Sequence, residues 1–89
     1  MIEDLKVQIL SDPEYDTLVA DVFYQSKYMF MLYCEASNGK RVIKAKFSFD
    51  EEVVAPFKGS IDLKILMDIL AEAGHFYEAR LDSDLNPMM

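Results

Sequence analysis

A single cysteine, Cys34, rules out an internal disulfide framework and fits a reducing compartment. A single histidine, His75, leaves no Cys/His grouping with zinc spacing. No run approaches the roughly 20 apolar residues that a membrane-spanning helix needs. The opening Met1-Ile2-Glu3-Asp4 is acidic and lacks an apolar stretch, so no secretory signal is expected. Basic residues are scarce: 9 Lys and Arg stand against 16 Asp and Glu, a net charge of −7. That sign disfavours nucleic acid and anionic membranes as general partners. There is no internal repeat, no low-complexity stretch and no catalytic, metal or phosphate-binding motif. No cofactor is expected, and the chain reads as cytoplasmic.

What is present is a single small domain. A chain of 89 residues buries about two-thirds of its unfolded surface, enough for one modest core. Its clearest stretch is Tyr28 to Phe49, where Asn38-Gly39 separates two runs of β-branched and aromatic residues. That dipeptide suits a type I′ hairpin turn, whose two central residues both need positive φ. The turn fixes the pairing outward, because residues directly opposite share a face. Ala36 then faces Arg41, Cys34 faces Ile43, Leu32 faces Ala45, Phe30 faces Phe47 and Tyr28 faces Phe49. This face is apolar and is expected to form the core. The other face pairs Glu35 with Val42, Tyr33 with Lys44, Met31 with Lys46 and Met29 with Ser48.

Upstream, Leu5, Val7 and Ile9 alternate with Lys6 and Gln8 as a half-buried strand. Ser11-Asp12-Pro13-Glu14 breaks it, and a second strand is expected from about Thr17 to Tyr24. A three-residue loop, Gln25-Ser26-Lys27, keeps Asp21 out of the core by opposing Tyr24 to Tyr28, Val22 to Phe30 and Ala20 to Leu32. Downstream, Asp50 can cap a short helical turn that Pro56 ends. Ser60 is then the expected cap of the main helix, Ile61 to Ala73, with Gly74 closing it. Leu63, Leu66, Met67 and Leu70 recur at helical spacing and are expected to cover Phe30, Leu32, Ile43 and Phe47. On that reading Leu66→Ala would cost about 2–5 kcal/mol. His75 would sit at the helix C-terminus, where an imidazolium favours the dipole. Residues 76–81 suit a short fifth strand or a continued helix.

The expected fold is therefore α+β: a four-stranded antiparallel meander with one C-terminal helix packed on one face. Residues 1–81 form the domain, and 82–89 read as a frayed acidic tail.

Candidate chemistry is thin. Cys34 and His75 are the only thiol and imidazole, and Cys34 falls on the core face, where thiols are usually inert. Asp12, Glu14 and Asp16 resemble the start of a calcium loop, but Thr17 stands at the required glycine and Phe23 at the bidentate glutamate. Lys40, Arg41, Lys44 and Lys46 make the hairpin locally basic, a pattern that cross-strand pairing with Asp21 and Glu35 accounts for. Val19, Phe23, Met29, Met31 and Tyr33, by contrast, fall together on the face away from the helix. Such a patch commonly marks an interface. Glu51, Glu52, Asp82 and Asp84 add an acidic rim suited to a basic partner.

The functional expectation is a non-enzymatic protein-interaction protein, of the kind of a small inhibitor, immunity-type protein or accessory subunit. The alternative is a structural homodimer that pairs through the same sheet face. A small ligand-binding or catalytic domain ranks third.

Overall fold

The computed structural model describes residues 2–47 and 59–85. Four strands follow in order, β1 (Leu5–Leu10), β2 (Val19–Tyr24), β3 (Lys27–Ser37) and β4 (Lys40–Lys46), and then a helix, α1 (Leu63–Leu85). The strands form one antiparallel sheet in the order β1-β2-β3-β4. This is the α+β meander with a C-terminal helix that the sequence implies.

The Asn38-Gly39 turn sets the β3–β4 register. Both residues take positive φ, 53° and 75°, and the ladder runs from Ser37↔Lys40 to Met31↔Lys46 as expected. Beyond that ladder the Phe30 and Phe47 rings still meet, 5.3 Å apart. The expected partners Ser48 and Phe49, and the short helical turn after Asp50, lie outside the described residues.

The β2–β3 connection differs from expectation. Tyr24 pairs with Lys27, so the loop is Gln25-Ser26 alone, both residues with positive φ, 53° and 64°. Phe23 then pairs with Tyr28 and Val22 with Phe30, which leaves Met29 as the extra residue of a β-bulge. The bulge restores the alternation, so Ala20↔Leu32 and Asp21↔Met31 stand as expected. It also exchanges two side chains. Tyr28 turns to the outer face against Phe23, their rings 5.6 Å apart edge to face, while Met29 packs against the core.

The helix departs further. Its cap is Asp62, not Ser60: one carboxylate oxygen accepts from the backbone N–H groups of Lys64 and Ile65 at 2.8 and 3.3 Å. It does not stop at Gly74 but runs on through 76–81 to Leu85, so there is no fifth strand there and the expected tail begins inside the helix. His75 is consequently a mid-helix, exposed residue.

The core seam is Ile69, Ala73, Tyr77 and Leu81, each 0% exposed and spaced by four. Spacing by four keeps them on one side of the helix, against Leu5, Ala20, Val22, Phe30 and Leu32. The expected contact residues sit elsewhere: Leu63, Met67 and Leu70 are 70%, 59% and 39% exposed, and Leu66 is half-buried. A longer helix gives the sheet its stretch from Ile69 to Leu81 instead of its first turns. Three polar contacts fasten that stretch. Glu72 accepts from the backbone N–H of Ile2 at 2.9 Å, Tyr77 donates to the carbonyl of Leu18 at 2.5 Å, and Arg41 donates to Asp82 at 2.8 Å.

Gly74 tests the continuity of the helix directly. A Cβ there would meet nothing within 4 Å, and its backbone is helical. Gly74→Ala is therefore expected to stabilise the fold by about 0.8–1 kcal/mol. A lower urea midpoint would mean that the helix ends at this glycine in a left-handed cap.

Candidate functional site

The outer face of the sheet is partly roofed by the β1–β2 connection, residues 11–18. Asp12 shapes its start: its carboxylate accepts from the N–H of Glu14 at 2.9 Å and its carbonyl from the N–H of Tyr15 at 3.0 Å. That turn carries Tyr15 onto the sheet, where its ring lies 5.0 Å from that of Tyr33. Val19 beneath is only 1% exposed. Phe23, Met31 and Tyr33 are half-buried, and Met29 has moved toward the core through the bulge. The five residues expected to form one open patch are thus divided among an enclosed position, three partly shielded ones and one on the opposite side.

The electrostatics of this face follow from the same roof. Burial, and then the nearby Asp12, push the Asp21 carboxyl above its ordinary range. Burial, followed by Asp21 and Tyr15, pushes the Tyr28 hydroxyl up to about 12. Lys6 lies over the Phe23 ring at 5.9 Å from its centre. These groups are held by packing against each other.

Of the acidic rim, Asp82 is joined to Arg41. Glu51 and Glu52 lie outside the described residues, as does the Asp84 side chain. The basic hairpin is partly neutralised in the same way, since Lys44 meets Glu35 across the strands at 2.7 Å. An open groove of about 650 Å³ separates the 11–18 connection from the hairpin tip. Glu14, Asp16 and Glu35 on its walls face Lys40 and Arg41, so its charges are mixed. Cys34 borders it and packs against the core. Among the described residues no group of three or more His, Cys, Asp or Glu is placed to hold a metal ion. Nor, among them, is any helix long and apolar enough to cross a membrane.

Among the described residues, the apolar side chains with the greatest exposure belong to a different surface. Leu63, Met67 and Leu70 follow one another along one flank of α1, with Ile65 and Phe76 also exposed at 36% and 39%. The helical spacing of the first three is visible in the sequence, but it reads there as a core face. The long helix is what frees them. On the sheet, Phe47 is 55% and Val42 39% exposed.

Comparison with family models, curated proteins and solved structures finds no match.

Proposed function

We propose that this chain is a non-enzymatic protein-interaction domain whose contact surface centres on the first turns of α1. One observation carries the reading: Leu63 and Met67 are 70% and 59% exposed on one flank of a helix whose buried seam lies elsewhere. Scattered surface leucines need no explanation, but several large apolar side chains within two helical turns suit the helix-in-groove mode of recognition. Methionine adapts its shape to a partner surface, which fits a contact of this kind. The acidic balance of the chain favours a partner with basic groups at the rim. A cytoplasmic setting, with no role for nucleic acid or membrane, accompanies this reading.

The test uses a photo-crosslinking phenylalanine analogue at position 67, in the cell that makes the protein. A discrete protein adduct is expected, formed with a copy of the chain or with another protein. It should be lost when Leu63→Lys is added, and the same probe at exposed Lys64 should give less of it. No adduct, or one that Leu63→Lys leaves unchanged, would remove this surface from consideration.

A further inference from the structure

We infer that two copies of this chain pair antiparallel along the outer edge of β1, joining their sheets into one of eight strands. The inference rests on the interaction reading above and identifies the partner as a second copy.

A four-stranded open sheet has two edges, and here they differ. β4 carries Lys40, Arg41, Lys44 and Lys46 among its seven residues, the usual means by which an edge repels another strand. β1 carries one cation, Lys6, among its six residues, with no proline and no bulge. The N–H of Leu5 already donates to the carbonyl of Ile2 at 3.3 Å. Among the described residues no strand takes up the outward N–H and C=O groups of Val7 and Ile9, and these form an open template.

Self-pairing of β1 is also consistent in pattern. Directly opposed residues share a face, so Leu5, Val7 and Ile9 must meet Leu5, Val7 and Ile9 of the copy. A two-fold axis at Val7 achieves this, with Val7 opposite its own copy and Leu5 opposite Ile9 on the core face. On the outer face Lys6 then stands opposite Gln8, and no like charges are opposed. Val7 and Ile9 are half-buried at this edge and would be covered by the copy. The same operation on β4, centred on Ile43, would set Lys40 against Lys46 twice. Charge therefore selects between the two edges.

The helix supports the same side. It lies over β1 and β2, and its Glu72 binds the backbone just ahead of β1. The exposed turns with Leu63, Ile65 and Met67 precede Glu72 and so lie toward that end of the edge strand. Edge and apolar turns then form one continuous, closed two-fold interface.

Sedimentation equilibrium of the full chain tests this through Gln8, which is exposed but stands opposite Asp21 of its own chain, so circular dichroism first establishes that each variant is folded. The parent is expected to dimerise. Gln8→Lys places two lysine pairs across the axis and should raise the dimer Kd about tenfold at low salt; Gln8→Glu should lower it by a similar factor. The opposite responses should converge at high salt. A parent that stays monomeric at every concentration would overturn the dimer, as would a Kd that both variants leave unchanged or move the same way. If such a monomer still crosslinks to a different protein from position 67, the interaction reading stands without the dimer. No adduct at all removes both.

Discussion

Tyr77→Ala is expected to unfold most molecules at room temperature. The ring is fully buried in the seam of α1, and its hydroxyl holds the carbonyl of Leu18. Truncating a buried aromatic costs about 3–5 kcal/mol, which is a large part of the stability of a small domain. The lost hydroxyl adds to this, because the Leu18 carbonyl loses its donor. Tyr77→Phe separates the two contributions and should cost only about 0.5–1.5 kcal/mol. Leu66→Ala should fall well below Tyr77→Ala, since Leu66 is half-buried. Urea unfolding of the three variants measures the order. If Leu66→Ala proved the most damaging, the helix would be packed through its first turns and the seam described above would be wrong.

Val19→Lys should be at least as severe. Val19 is 1% exposed on the outer face, beneath a connection that brings Tyr15 against Tyr33. A lysine there must bury an unpaired ammonium or push the connection off the sheet. A loss of about 4 kcal/mol or more is expected, in the range reserved for buried unpaired charge. Met31→Lys, on the same face but only half-buried, can lead its charge to water and should cost much less. Thermal unfolding by circular dichroism distinguishes the two. Equal, small effects would mean that 11–18 does not roof this face, and that the patch from Val19 to Tyr33 is open after all.

The sequence specifies some of these features and conceals others for definite reasons. Asn38-Gly39 admits few alternatives, because both residues favour the backbone that the turn needs. Every pairing between Ser37↔Lys40 and Met31↔Lys46 follows from it by counting. Gln25-Ser26 makes the same kind of turn from residues that carry no such preference. In a regular ladder a two-residue loop would put Asp21 in the core, which favours three residues, and the bulge at Met29 reconciles the shorter loop with an outward Asp21. Gly74 misleads in the opposite sense. A glycine inside a helix costs about 1 kcal/mol, whereas burying Tyr77 and Leu81 returns about 1.5–3 kcal/mol each. Once the helix is allowed through Gly74, the spacing Ile69, Ala73, Tyr77, Leu81 becomes a face, and Leu63, Met67 and Leu70 cease to be one that the core needs. The enclosure of Val19 depends on a connection folding back across the sheet, which no local pattern announces.

The two hairpin turns have a further consequence, for what evolution can still do with this molecule. Asn38-Gly39 occupies left-handed backbone with residues made for it. Gln25 and Ser26 occupy the same region against a steric penalty of about 1–2 kcal/mol each. The Gln25-Ser26 hairpin thus holds strain at two exposed positions. Natural proteins lie just above the stability that function requires, and most substitutions erode that margin. Here the margin can be widened at two surface positions without altering a single packed side chain. A lineage carrying this fold has room to accept destabilising changes on its interaction surface, and so to change partners, by first relaxing one turn.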